Sequence, residues 1–207
     1  VTYVNTNLLS YYQTPGRGRS MFKTTIKGHD LQFKTSAQLF SPHGLDGGTG
    51  AMLSVVEFTA GQRVLDLGCG YGIVGIVAAK IVGEQNVVMV DRDPLAVRLA
   101  RENATLNLVP EVSVYESDGF TNVPNTDFDL ILSNPPYHTD FAVPKTFIEK
   151  GFNRLVMGGK MYMVTKRRKW YKNKFVAIFG GVQIREVAGY YVFVAEKRST
   201  QYANKRG

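Results

Sequence analysis

The stretch that most restricts how this chain can fold is Asp66-Leu67-Gly68-Cys69-Gly70-Tyr71-Gly72, set between a strand-like run and a helical one. Arg63-Val64-Leu65-Asp66-Leu67 has strand composition, and Ile73 to Val82 has helical spacing with no proline. Glycines at such a junction permit a tight turn and a close approach of ligand to backbone, beside the unpaired N–H groups that open a helix. The rhythm then repeats. Asn86 to Asp91 reads as a strand, and Pro94 to Leu106 as a helix with Asp93 as N-cap and Pro94 in its first position. Glu111 to Tyr115 and Phe128 to Ser133 read as further strands, followed by a helix around Pro144 to Leu155. Gly158-Gly159 is expected to turn the chain into a fifth strand, Lys160 to Val164. Strands alternating with helices predict an α/β fold, a parallel sheet covered on both faces. Val182 to Val187 and Tyr190 to Ala195, joined only by Ala188-Gly189, predict a closing antiparallel hairpin.

The first 50 residues are less regular. Ser20 to Phe33 is expected to form a hairpin turning at Gly28-His29-Asp30. Gly44 to Gly50 reads as a flexible loop ahead of a helix, Ala51 to Phe58. The expected division is an N-terminal extension, 1–50, that covers the site, and a main domain, 51–207.

Composition narrows the chemistry. The single cysteine, Cys69, excludes an intramolecular disulfide, and His29, His43 and His138 are too scattered for a zinc site, so no metal is expected. No apolar run approaches the roughly 20 residues that span a bilayer, and the opening residues lack signal-peptide character. The expectation is a soluble cytoplasmic protein. The net charge of +8 is unevenly placed: residues 51–144 hold 5 basic and 12 acidic residues, and residues 145–207 hold 15 and 3. An acidic middle and a basic last third suggest a small-molecule site beside a polyanion-binding face. A solubilising charge bias is the plain alternative.

Gly70-Tyr71-Gly72-Ile73-Val74-Gly75 fits the dinucleotide pattern G-x-G-x-x-G, so a nicotinamide cofactor is one reading and a purely structural turn another. Asp66, just ahead of the turn, opposes a pyrophosphate. Asp91 ends the second strand, where a carboxylate accepts hydrogen bonds from ribose hydroxyls. Further on, Asn134-Pro135-Pro136-Tyr137 follows an apolar strand. Two prolines hold that backbone extended. The Asn134 side-chain carbonyl and the Pro135 backbone carbonyl are acceptors for the two N–H bonds of an amine, and Tyr137 suits stacking on a base. A proline-rich turn without chemistry is the alternative.

The glycine turn and the Asn-Pro-Pro-Tyr run, in this order and spacing, resemble S-adenosylmethionine-dependent methyltransferases that act on planar nitrogens. From about Phe33 to Ala195 the chain is similar to the "methyltransferase small domain" family, including its guanine-N2 enzymes of 16S ribosomal RNA. Phe40-Ser41, Leu45-Asp46-Gly47-Gly48-Thr49, Asn134 to His138, and Gly189 to Val192 carry the likeness. The resemblance implies a Rossmann-like sheet of seven strands and S-adenosylmethionine as cofactor, with S-adenosylhomocysteine as product. Asp66 would then face the ammonium and sulfonium charges, Asp118 the adenine amine, and Phe40 and the Gly47 to Thr49 loop would lie over the cofactor. The implied cofactor residues are Phe40, Gly48, Thr49, Asp66, Gly68, Gly70, Gly72, Asp91, Arg92, Asp118, Gly119 and Asn134; the implied catalytic run is Asn134, Pro135, Pro136 and Tyr137. His138 reads as a loop residue or RNA contact.

The segment Lys166 to Lys174 holds six basic residues and two aromatics in nine positions. Lys166, Arg167, Arg168, Lys169 and Lys172 suit phosphates, and Trp170 or Tyr171 suits stacking on a base. Arg17 and Arg19 offer a second contact. A solvated helix face with Trp170 packed inward is the alternative. The expected reaction is methylation of a base amine in RNA, foremost guanine N2 of small-subunit ribosomal RNA, with the ribosomal RNA or small subunit as partner. Adenine-N6 methylation, protein-glutamine methylation and a non-catalytic RNA-binding module stay open, and Tyr137 leaves guanine against adenine undecided.

Overall fold

The computed structural model describes residues 11–13, 19–39, 44–124, 126–135 and 141–203. In chain order the elements are β1 (Tyr11–Gln13), β2 (Arg19–Ile26), β3 (His29–Ser36), α1 (Gly47–Val55), β4 (Val64–Leu67), α2 (Ile73–Val82) and β5 (Val87–Asp91). They continue with α3 (Pro94–Leu106), β6 (Ser113–Glu116), β7 (Phe128–Ser133), α4 (Ala142–Arg154), β8 (Leu155–Thr165), α5 (Arg168–Phe179), β9 (Gln183–Val187) and β10 (Tyr190–Glu196).

Seven strands form one sheet in the order β6-β5-β4-β7-β8-β10-β9. The first five pair in parallel, and β10 pairs antiparallel with both β8 and β9. Alternate strand residues feed separate cores, as a period of two requires. Val64, Val87, Met89, Leu130, Leu132 and Val164 pack with α1, α2 and α3. Leu65, Leu67, Val88, Val90, Ile131 and Met163 pack with α4 and α5. Asp93 caps α3 as expected, its Oδ1 accepting from the Leu95 N–H at 2.8 Å.

Three boundaries differ from expectation. The glycines at 158 and 159 do not turn the chain; they lie inside β8, which starts directly after α4. Gly158 has φ +81°, and a Cβ at Gly159 would stand 2.9 Å from the Phe128 carbonyl oxygen. The pair makes a bulge where the β7–β8 register shifts, pinned by the Lys197 backbone on both glycines. The helix expected at Ala51 begins instead at Gly47, because Asp46 Oδ2 accepts from the Thr49 N–H at 2.9 Å and caps it. The first hairpin turns at Lys27-Gly28, both at positive φ, with Ile26 paired to His29. Ala188-Gly189 does the same between β9 and β10. Both are two-residue turns whose twist matches the strands they join.

The β1-β2-β3 sheet is a separate layer. Its outer strand β3 meets α3 through two buried asparagines one helical turn apart. Asn103 accepts from Lys34 N at 2.8 Å and donates to Lys34 O at 2.9 Å; Asn107 accepts from Gln32 N at 3.0 Å and donates to Gln32 O at 2.7 Å. Four helical residues rise about 6 Å and two strand residues about 6.6 Å, so the two amides stand in for a neighbouring strand. Phe22 and Phe33 pack on the Tyr71 ring, which explains why α2 is apolar all round: it is covered by the main sheet on one side and this layer on the other. Among the described residues no helix is long and apolar enough to cross a membrane.

Asn103 Nδ2 also donates to the Tyr71 carbonyl at 2.8 Å, so it ties the hairpin to the glycine turn. Asn103→Ala should lower unfolding stability by about 3 kcal/mol, since several buried backbone groups lose their partner. Urea titration measures this, and an unchanged midpoint would contradict the clamp.

Candidate active site

The strand order reverses between β4 and β7. Open α/β sheets bind ligands in the crevice that such a reversal leaves at the strands' carboxyl ends. Here the two strand ends are joined by the Ser133 hydroxyl, which donates to the Leu67 carbonyl at 2.7 Å. Above them lies a cavity of about 250 Å³, walled by the ends of β4, β5 and β7, the turn after β6, Val143 and Phe147 of α4, and Gln38 and Leu39 beyond β3.

The glycine turn is sewn to β5. Gly68 and Cys69 N–H both donate to the Val90 carbonyl at 2.9 Å, and Gly70 N–H to Asp91 Oδ2 at 2.9 Å. Gly72 N–H donates to Cys69 O, and Gly72, at φ +93°, opens α2. These donors are therefore spent on protein acceptors and cannot cradle a phosphate. The walls are also acidic: among the described residues Asp46, Asp66, Asp91, Asp93 and Asp118 line the cavity, against one basic residue, Arg92. Such a lining repels a pyrophosphate and suits a cation, so the residues fit a sulfonium and ammonium ligand and not a dinucleotide.

Asp66 is 2% exposed. Its Oδ2 accepts from the Gly75 N–H at 2.8 Å. Burial pushes its carboxyl up to about 7; the Gly75 N–H opposes this and the Asp91 charge adds to it. At Gly75 a Cβ would lie 2.4 Å from Met89, so glycine is what brings this N–H close to β4. Asp91 Oδ1 accepts from Asp93 N–H at 3.0 Å, so each Asp91 oxygen holds one backbone N–H and keeps one lone pair for a ribose hydroxyl. Beyond β6, Ser117 Oγ donates to Gly119 O and accepts from Asn122 N–H, a tight turn that leaves Asp118 exposed at the rim.

Asn134 leaves β7 at the cavity wall. Its Nδ2 donates to Asp46 Oδ2 at 2.7 Å and to Thr49 Oγ1 at 3.0 Å. The donor end of the amide is committed to α1, and the carbonyl end is turned away from it. Pro135 follows, buried and on the same wall. Pro136, Tyr137 and His138 lie outside the described residues, as do Phe40 and Arg17.

Of the expected cofactor residues, Thr49, Asp66, Gly68, Gly70, Asp91, Arg92, Asp118, Gly119 and Asn134 line the cavity. Gly48 and Gly72 do not; both are buried and serve the backbone, one within α1 and one at the start of α2. Sequence reasoning missed Asp46, whose place before Gly47-Gly48-Thr49 is a legible N-cap signal. It also missed Phe147 and Leu39, which carry none.

The basic segment forms the end of β8's loop and the first half of α5. Lys166, Arg167, Arg168, Lys169 and Lys172 are exposed. The first three lie over the rings of Tyr190, Phe141 and Tyr191 at 4.9, 5.1 and 5.8 Å, which orders their long side chains. Trp170 is half-buried and stacks on Phe141 at 4.3 Å. Tyr171 does not meet the expectation that it stacks on a base: it is 3% exposed, packed on Phe193 in the core. Its position on α5 faces the sheet, one residue on from Trp170. Arg19 opens β2. Among the described residues no cluster could hold a metal ion.

The chain is similar to three informative relatives. It is 30% identical over 178 residues to the uncharacterised protein YbxB of Bacillus subtilis, covering 83% of this chain and 89% of that one. It is 33% identical over 174 residues to the ribosomal RNA large subunit methyltransferase G of Pseudomonas entomophila, covering 81% of this chain and 46% of that one. In structure it resembles the Thermus thermophilus 16S rRNA N2 methyltransferase RsmC, solved in complex with AdoMet and guanosine. The TM-score is 0.81 at 27% identity, over 90% of this chain and 52% of that one. The chain thus spans about half the length of the ribosomal RNA methyltransferases it matches. The profile of the methyltransferase small domain matches residues 30–194, and the chain belongs to that family.

Proposed function

We propose that this protein moves a methyl group from S-adenosylmethionine to an exocyclic amine of a base in RNA, foremost guanine N2 of small-subunit ribosomal RNA. The observation that carries this reading is Asn134 on the wall of an acidic switch-point cavity, with its amide donors taken by α1. The fold's likeness to a guanine-N2 enzyme solved with AdoMet and guanosine supports the choice of base. The likeness to large-subunit enzymes makes a large-subunit target the second reading.

In this reading Asp91 receives the ribose hydroxyls, Asp118 the adenine amine and Asp66 the ammonium, with Thr49, Gly68, Gly70, Arg92 and Gly119 around them. The extension, 1–50, covers the site through Gln38 and Leu39, and 51–207 carries the transfer. An exocyclic amine is a poor nucleophile because its lone pair is delocalised into the ring. Asn134 Oδ1 and the Pro135 carbonyl each accept one N–H, drawing the nitrogen toward a tetrahedral shape. Tyr137 stacks on the base. S-adenosylmethionine, held by Asp66 and Asp91, would supply a methyl on a positively charged sulfur, with the C–S electron pair leaving on sulfur as the amine lone pair takes the carbon. The alkylated amine then loses its proton to water. Alignment is the main source of rate, and a base within a duplex must first be flipped out. Lys166 to Lys169 and Lys172, with Trp170, hold the RNA beside the cavity.

The direct test supplies labelled methyl donor with unmodified small and large subunits, then identifies the labelled nucleoside. N2-methylguanosine from the small subunit is expected; no labelled base would refute the reading. Asn134→Ala should raise the barrier by about 2–4 kcal/mol while calorimetry shows cofactor binding retained; wild-type turnover in this variant would remove Asn134 from the chemistry.

The cofactor's affinity should depend on pH through Asp66. Its folded value of about 7 lies above the usual 3.8, so ionising it costs stability, a cost absent below about pH 4 and complete above about 7. A cationic ligand favours the ionised form. Affinity should therefore rise toward pH 7 with proton release on binding, then level off, and Asp66→Asn should bind weakly without that rise. Calorimetry in buffers of different ionisation enthalpy reads the proton; none released at pH 6 would contradict the assignment.

Replacing Lys166, Arg167, Arg168 and Lys169 with Gln should flatten the salt dependence of RNA binding by about 0.7–0.9 log units for each phosphate no longer neutralised. An unchanged slope in filter-binding titrations would place the RNA elsewhere.

A further inference from the structure

The geometry points to Asp46, assisted by Thr49, as the positioning residue that sets the direction of the Asn134 amide; this inference rests on the role given to Asn134 above. An asparagine amide has two orientations of nearly equal shape that exchange Oδ1 and Nδ2. Only one of them offers an acceptor to a substrate amine. Asp46 decides between them. Its Oδ2 stands 2.7 Å from Nδ2, and in the reversed orientation Oδ1 would face a carboxylate oxygen with no proton between them. Thr49 Oγ1, 3.0 Å from Nδ2, takes the second amide proton.

Asp46 is itself held in place. The oxygen that receives the Asn134 amide also accepts the Thr49 N–H at 2.9 Å as the N-cap of α1. One carboxylate oxygen therefore joins the start of a helix to a residue 88 positions along the chain. Folding of α1 and orientation of the amide become a single event. Donating into a carboxylate also polarises the amide and makes Oδ1 a stronger acceptor. Asp46 and Thr49 face the amide from α1, so they act through Asn134 and need not touch the base.

The test compares Asp46→Ser, Asn134→Ala and the double variant at saturating methyl donor on unmodified subunits. Serine retains the helix cap but is too short to serve both partners. Asp46→Ser should lower kcat about 10- to 100-fold, the scale of a misaligned reacting group. In the Asn134→Ala background the same substitution should change kcat less than about twofold, because coupled residues are not additive. Thr49→Val should lose activity that Thr49→Ser restores. Wild-type kcat in Asp46→Ser with a crippled Asn134→Ala, or losses that multiply in the double variant, would overturn the positioning role alone. Wild-type turnover in Asn134→Ala would overturn the reading of the site and this role with it. Should Asp46→Ser fail to fold, judged by circular dichroism, the Thr49 pair read in the Asn134→Ala background decides: activity independent of residue 49 there supports coupling, and an undiminished effect refutes it.

Discussion

The site depends on the parting of two parallel strands. From β4 the chain winds to one side of the sheet, and from β7 to the other, so a gap opens above their carboxyl ends. The Ser133 hydroxyl on the Leu67 carbonyl is the last link between them. Past it one strand runs into the glycine turn and the other into Asn134-Pro135. Two motifs 60-odd residues apart therefore line one volume.

The N-terminal hairpin makes this gap a cavity. It is attached by side chains that imitate a strand: Asn103 and Asn107 satisfy the open edge of β3, and the spacing of a helical turn nearly matches that of two strand residues. Asn103 reaches the Tyr71 carbonyl as well, and the Tyr71 hydroxyl donates to the Gly44 carbonyl at 2.9 Å. The glycine turn, the hairpin and the approach to α1 are thus one hydrogen-bonded unit. Leu39 and Gln38 arrive at the cavity because β3 is held there.

Charge is divided by the fold as it is along the chain. The aspartates gather at the strand ends and the lysines and arginines on the neighbouring loop and helix. A buried Asp66 is destabilising when ionised. In the proposed role of Asp66 that cost would be offset by a cation held beside it. The basic side chains rest on Phe141, at the start of α4, and on Tyr190 and Tyr191, at the start of β10, so their aromatic supports come from two distant segments.

Much of this was written in local sequence. Sequence specified α2 and α3 to the residue: α2 is a proline-free apolar run that starts at the glycine turn, and α3 has Asp93 and Pro94 to start it and an apolar stripe. Glycines before Ile73 and the carboxylates Asp66 and Asp91 marked a turn at the strand ends, and Asn134-Pro135 an extended run, and the two line one cavity. What local sequence could not convey was partnership. Gly158-Gly159 looks like a turn until Phe128 and Lys197 pair across it as a bulge. Tyr171 and Trp170 are alike in the chain, yet the angle of α5 buries one and leaves the other at the rim. Asp46 stood in a stretch read as a loop, and only the packing of α1 against β8 and β10 makes its cap oxygen the partner of Asn134 as well. Sequence by itself determined which segments are strands and helices and which side chains are able to bear the chemistry, since these follow from backbone preference and side-chain type. Tertiary structure decided which groups face each other across the gap, because hydrogen bonds between distant segments exist only once the strands have parted.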